Sequence, residues 1–447
     1  MGIFRTVLLA LSLGSASADI PVHCTRGDVV GDWTMNLGQR GHSYSDLLDF
    51  DCIHGVGEPE ELNVNLSSEG NIVTNTDTNE VIGTWTLIYD QGIEITVPGK
   101  LPATNTTDVT AFFYFKYTEV NGTVTSYCGE SLGPSYYHEV PSPGVAPNDW
   151  GCFEARGPLA GKGLERADHQ PKGSGLKLTG ARRKDRARPV QGAVVSADVP
   201  AAFSWLDVAG AVSPMRDQLS CGSCYAFAGT AVIESQARIG NAGAPHFVSP
   251  QEVVSCSPYS QGCNGGFAYL VAKYAQDFGL AGEAQFPYTS GLFNEEVGDQ
   301  ACEEKGLRKE GSPAYFANDL RYVGGFYGNC SEAAMREALV AHGPLAVGIE
   351  VTDAMEDYTC TGGTYVEPPA QRAARESGAT EFEATNHAVV VVGYGTDDEG
   401  VDYWTVRNSW GRHFGNTGYF NIRRGTDELA IESMAFITGV VIVEAKK

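Results

Sequence analysis

The sequence predicts two folded units joined by a basic segment: first an all-β, barrel-like or sandwich unit, then an α+β domain with a helical half and a β-rich half. Three observations carry this. Between Asp19 and Ala155, short runs of β-branched and aromatic residues alternate with turn signals, and no helical run of useful length interrupts them. From Val199 onward helical patterns come first and strand-like runs later, the order of an α+β domain. Between the two, Arg156–Pro189 holds ten Lys/Arg against three acidic residues, with recurrent Gly and Pro and no apolar periodicity. At 447 residues the chain is too long for one ordinary core. The expected divisions are 1–18, 19–155, 156–198 and 199–447.

Each element has its own signal. In the first unit Thr84–Tyr89, Ile93–Val97 and Ala111–Tyr117 read as strands, and Asn121-Gly122 as the hairpin turn between two such runs. In the second, Ser249-Pro250-Gln251-Glu252 is a capping box with proline at the first helical position. Gly266–Phe278 and Ser331–His342 are helical patterns closed by glycine. Leu345–Val351, Ala388–Val392, Tyr403–Val406 and Tyr419–Ile422 read as strands. A cleft between the two halves is the expected site of chemistry. The basic segment reads as a linker or a removable pro-segment, and Ala181-Arg182-Arg183-Lys184 within it is a protease target.

Composition narrows the setting. Forty-two per cent hydrophobic and 19% charged residues suit a soluble globular chain, and a net charge of −24 argues against nucleic acid as a partner. Arg5, the apolar run Val7–Leu13 and Ala16-Ser17-Ala18 form a secretory signal, with Asp19 as the residue exposed by cleavage. No later apolar run approaches the ~20 residues of a membrane span. The expected location is therefore the secretory pathway, ending in an acidic lysosome-like compartment or outside the cell. Four Asn-x-Ser/Thr sequons, at Asn65, Asn105, Asn121 and Asn329, agree with export. Eleven cysteines suggest disulfides with one thiol left over. Cys24, Cys52, Cys128 and Cys152 form an even set that can staple the first unit twice, with the pairing open.

The chemistry centres on Gln218–Phe227, Q-L-S-C-G-S-C-Y-A-F. A cysteine at a helix start is where a thiolate forms most easily, because unpaired N–H groups and the helix dipole favour negative charge. A nucleophilic thiol also needs a base and a group to orient that base. His387 stands before a strand-like run and Asn408 at the end of another, so both can reach one cleft. The competing reading of Cys221-x-x-Cys224, a redox pair, leaves His387 and Asn408 without a task.

Cys-Gly-Ser-Cys-Tyr-Ala-Phe, Gly262-Cys263-Asn264-Gly265-Gly266, Asn386-His387-Ala388 and Asn408-Ser409-Trp410-Gly411 together resemble the papain family of cysteine peptidases, in the family's order. The likeness runs from Val199 to the C-terminus. It implies Cys224 as nucleophile, His387 as base in a thiolate–imidazolium pair, and Asn408 as the group that orients the ring. Trp410 would shield that bond beside the substrate. The Gln218 amide and the Cys224 N–H would form the oxyanion hole. Gly265 and Gly266 would let a substrate backbone lie close, and Cys221 would pair with Cys263.

A narrower resemblance is to the dipeptide-releasing branch of that family. It rests on Tyr225 in place of the usual Trp, on Gly266-Phe267-Ala268-Tyr269-Leu270, Tyr322-Val323-Gly324-Gly325-Phe326-Tyr327-Gly328 and Arg423–Glu428, and on the chain layout. In that branch the β-rich unit is an exclusion domain whose terminal aspartate, here Asp19, captures the substrate's α-amine. The resemblance further implies a chloride ion near Tyr269 and Tyr322 with Phe267 close by, no metal or organic cofactor, activation by other proteases, and a homotetramer. It also implies a Cys256–Cys302 bridge. Gln285 stands where the branch has cysteine, Phe414 and Asn416 replace its Trp and Glu, and Cys330 and Cys360 are left unassigned. The segment Glu367–Glu381, with Arg372 and Arg375, reads as a loop and a candidate chain cut.

The resulting expectation is a zymogen of a cysteine exopeptidase that removes dipeptides from peptides and proteins with free N-termini. The alternatives are a papain-like endopeptidase with an accessory β unit and, more distantly, a non-catalytic secreted binding protein.

Overall fold

A computed structural model of the chain describes residues 22–42, 60–98, 109–120, 123–132, 135–139, 150–165, 178–182, 199–241, 245–291, 302, 313–356, 358, 363–377 and 382–444. In the first unit the strands are β1 (Gly31–His42), β2 (Glu60–Leu66), β3 (Ile72–Asn75), β4 (Glu80–Ile88), β5 (Gly92–Val97), β6 (Val109–Val120), β7 (Thr123–Ser131), β8 (Ser135–Glu139) and β9 (Trp150–Arg156). All but β7 pair antiparallel in the order β1-β2-β3-β4-β5-β6-β8-β9, and β9 returns to β1, which closes an eight-stranded barrel, while β7 pairs with β6. Closure removes the open edges that a sheet of this size exposes.

Strand alternation fills the interior. Trp33, Met35 and Leu37 of β1 and Leu62, Val64 and Leu66 of β2 are buried while their neighbours face outward. Phe113 packs edge-on against Phe153 at 5.8 Å. A Cys24–Cys128 disulfide pins the N-terminal arm to β7. Asn121-Gly122 lies outside the described residues, between the paired Val120 and Thr123.

The second unit is α+β. Its central helix, Cys224–Gly240, is buried along most of its length. Gly229 lets it approach the Ala268–Phe278 helix, since a Cβ there would sit 2.6 Å from Val271 Cβ. The short Pro250–Cys256 helix starts as its sequence dictates, with Ser249 Oγ accepting from the Glu252 N–H at 3.0 Å. The sheet runs Leu280–Ala281, Pro313–Tyr322, Ala435–Glu444, Leu345–Ile349, His387–Thr396, Asp402–Arg407, Tyr419–Arg423 and Thr364–Tyr365, antiparallel except for its last pair. The central helix lies against the His387–Thr396 and Ala435–Glu444 strands, and its first residue, Cys224, meets the sheet at Ala388.

Two expectations change. Leu178–Arg182, inside the basic segment, forms a strand that pairs antiparallel with Phe382–Thr385. Main-chain pairing of this kind needs no apolar periodicity, so composition gave no sign of it. Pro369–Ser377 is a helix rather than a loop. Arg372 on it is held by ion pairs to Glu428 and Glu367, which makes it a poor protease site while the fold is intact.

Candidate active site

The candidate residues converge where the central helix meets the sheet. Cys224 is the first residue of that helix. His387 opens one strand, and Asn408 directly follows its antiparallel neighbour. The Ala388 N–H donates to Cys224 Sγ at 3.4 Å, tying helix to strand. Asn408 Oδ1 lies 2.7 Å from His387 Nε2 and can only accept there, so Nε2 carries the hydrogen and Nδ1 is the basic nitrogen of the neutral ring. Trp410 stacks on the imidazole at 4.7 Å, and Phe414 meets Trp410 edge-on at 4.9 Å. Buried Asn386 bonds the N–H and C=O of Val351 at 2.7 and 3.0 Å, which fixes the entry to the His387 strand.

Thiol and imidazole are both fully removed from water. Burial pushes the Cys224 thiol up to about 12, outweighing the Ala388, Tyr225 and Cys224 N–H groups that favour the anion. Burial likewise pulls His387 down to about 4, against the Asn408 hydrogen bond. Both directions favour the uncharged pair in the intact chain. The helix start does favour a thiolate, as its sequence position suggests, but here burial is the larger effect.

Gln218 is buried beside them. Its Oε1 accepts from Ser409 Oγ at 2.6 Å, its Nε2 donates to the Cys221 carbonyl at 3.0 Å, and its backbone N–H donates to the Ser409 carbonyl at 2.8 Å. A Cys221–Cys263 disulfide ties this loop to the Gly262–Asn264 turn. Gly265 has φ +128°, and a Cβ on Gly266 would lie 2.7 Å from the Tyr225 ring, so packing of Tyr225 itself requires glycine there. Cys256 is bonded to Cys302. Cys152 is disulfide-bonded, and Cys52 and Cys360 lie outside the described residues, as does Asp19.

The barrel reaches the same region. Tyr89, in the turn between β4 and β5, stacks on Phe267 at 3.9 Å. A small cavity bounded by Tyr89, Ala268, Tyr322, Ala388, Met434 and Phe436 therefore has walls from both units. Tyr269 stacks on Tyr322 at 4.4 Å, and its hydroxyl donates to Glu94 Oε2 of the barrel at 3.0 Å.

A model described as the papain family cysteine protease matches residues 199–438, and one described as the cathepsin C exclusion domain matches residues 19–157. The chain belongs to the papain family of cysteine proteases. Among its relatives, cathepsin C of Schistosoma mansoni is 31% identical over 97% of this chain and 98% of its own. Cathepsin S of Rattus norvegicus is 34% identical over 51% of this chain and 61% of its own, and the cathepsin B-like CP2 of Giardia intestinalis 33% identical over 54% and 74%.

The papain-like domain thus carries an exclusion domain in front of it, and the contacts between the two are what sequence reasoning missed. Tyr89 and Glu94 read as ordinary strand residues, with no signal that they touch a partner domain. Ser409 had a signal, its place in Asn-Ser-Trp-Gly, but its bond to Gln218 appears only in three dimensions. Among the described residues, no group of three or more His, Cys, Asp or Glu is placed to hold a metal ion, and no helix is long and apolar enough to cross a membrane.

Proposed function

We propose that this papain-family protease is a dipeptidyl exopeptidase of the secretory or lysosomal system, made as a zymogen and active on peptides and proteins with free N-termini. The observation that carries the reading is the exclusion-domain barrel docked at the cleft, with Tyr89 against Phe267 at 3.9 Å. A domain fixed there limits how much substrate can lie on the N-terminal side of the cut bond. Asp19 supplies the clamp: a carboxylate opposite an ammonium forms a charge-assisted hydrogen bond.

In the chemical step Cys224 Sγ attacks the scissile carbonyl carbon. The Gln218 amide and the Cys224 N–H receive the developing oxyanion, and His387 passes the thiol proton to the departing amine. Water activated by His387 then cleaves the thioester, releasing the dipeptide and restoring the thiol. Asn408 keeps the ring in the required tautomer, and Trp410 covers that bond.

The chloride implied by resemblance fits one residue and not the other. Tyr322 Oη is buried, has no hydrogen-bond partner among the described residues and would donate to an anion, whereas the Tyr269 hydroxyl is engaged by Glu94. An ion held there would supply fixed negative charge beside the small cavity that Tyr322 lines and take no part in bond making.

A matched pair of peptides tests the reading. The processed enzyme should release a dipeptide from the peptide with a free N-terminus and leave the acetylated form intact. Internal cleavage of both at equal rates would establish the endopeptidase alternative instead.

A further inference from the structure

The turn between β4 and β5 faces two ways. Tyr89, held at φ +54°, turns its ring to Phe267 of the peptidase domain. Asp90, the next residue, turns to the N-terminal arm. Its Oδ2 accepts from His23 Nδ1 at 2.9 Å, and its carbonyl accepts from the Cys24 N–H at 2.9 Å. The His23 N–H donates in turn to Ser126 Oγ at 3.1 Å, and Cys24 is bonded to Cys128. Asp90 is 0% exposed and His23 5% exposed. A carboxyl group so deeply buried needs a hydrogen-bonded partner, and the imidazole is one. The arm is therefore tied side chain to side chain to the same three-residue turn that touches the cleft.

We infer that the His23–Asp90 pair is the clasp that positions the N-terminal arm for recognition of the substrate's free α-amine. The inference rests on the dipeptidyl reading above, in which Asp19 is the amine clamp. Asp19 is four residues upstream of His23, so the chain can carry it at most ~13–14 Å from that anchor. A short tether makes the clamp only as well placed as its root. A root held by a disulfide, one main-chain bond to Asp90, one N–H bond to the Ser126 hydroxyl and a buried histidine–carboxylate contact transmits the position of Tyr89, and with it the cleft, to the arm. His23 and Asp90 touch neither thiol nor scissile bond in this scheme. They act through Asp19 on substrate binding.

The experiment measures kcat and KM of the processed enzyme on a dipeptidyl reporter with a free amino group. For His23→Ala the expected result is a rise in KM of about tenfold, the size of one lost charge-assisted hydrogen bond, with kcat within about threefold of wild type. For His23→Asn, whose amide can reach Asp90 from the position of Nδ1, KM returns to within about threefold of wild type. Should His23→Ala not fold, Ser126→Ala loosens the same anchor by one hydroxyl and is expected to raise KM about fivefold with the same unchanged kcat. A His23→Ala or Ser126→Ala enzyme with wild-type KM, or one whose kcat alone falls, overturns the clasp. Cleavage of the acetylated reporter by wild type at the free-amine rate overturns the dipeptidyl reading first. Strict free-amine dependence together with an unmoved KM in the variants overturns this inference alone.

Discussion

At the residue scale, Ser409 decides how well Gln218 can serve an oxyanion. Its hydroxyl fixes the amide through Oε1 at 2.6 Å, which orients the N–H side of the same group. Gln218→Ala should lower kcat about 10²–10³-fold, the usual cost of one lost oxyanion donor, with KM little changed. Ser409→Ala should lower kcat about three- to tenfold by letting that donor wander. Steady-state kinetics on one substrate compares the two, and a Ser409→Ala enzyme with wild-type kcat would show that packing alone holds Gln218. The catalytic candidates were legible because Cys224, His387 and Asn408 each sit in a recognisable motif, the last two 163 and 184 positions after Cys224. Their protonation was not, because burial is a property of the folded surroundings and no local sequence records it.

At the scale of elements, the helix Ala268–Phe278 carries a charged cluster at the domain interface. Lys273 lies 3.2 Å from Asp277 and 4.0 Å from Glu94 of the barrel, while His138 Nε2 of the barrel lies 3.3 Å from the same Asp277. Burial would raise the Asp277 carboxyl, but Lys273, His138 and the Tyr259 hydroxyl outweigh it and hold it at about 2. Because the folded value lies below the ordinary 3.8, this stabilisation is full above pH 3.8 and is lost as pH falls through about 2. Lys273→Met should cost about 3 kcal/mol by removing the cation between two buried carboxylates that keep only their hydroxyl and imidazole partners, and should move acid unfolding to higher pH. Pairing it with Asp277→Leu should recover part of the loss. Thermal and acid melts of the single and double variants check this, and additive losses would mean that the pair is not coupled. The helix itself was legible, closed by Gly279 as its pattern predicts. Its task was not, because Lys273 and Asp277 read equally well as an exposed i,i+4 pair. The Pro313–Tyr322 strand was also missed, since its partner Ala435–Glu444 lies more than a hundred residues away and no local signal marks such pairing.

At the scale of the whole molecule, the basic segment and the active site meet on one strand. Leu178 pairs with Thr385 and Arg182 with Phe382, two and five residues before His387. The segment that reads as removable is thus stitched by main-chain hydrogen bonds to the backbone that delivers the base. Arg182 is at once the end of the paired strand and part of the Ala181-Arg182-Arg183-Lys184 target, so a protease must unpair it to cut. In the intact chain Cys224 and His387 are buried, with the thiol up at about 12 and the imidazole down at about 4. Between those values the pair is uncharged and the thiolate scarce, so iodoacetamide should label Cys224 slowly at pH 6 and faster only toward alkaline pH. Cleavage after Arg183 and release of the segment should free the Phe382–Thr385 backbone that leads to His387 and admit water to the pair. Alkylation at pH 6 should then rise at least tenfold and lose its steep dependence on alkaline pH, because His387 can take the proton. The measurement is the labelling rate of Cys224 against pH, by mass spectrometry, before and after limited proteolysis. Equal rates in the two forms would place the control of this nucleophile somewhere other than the basic segment.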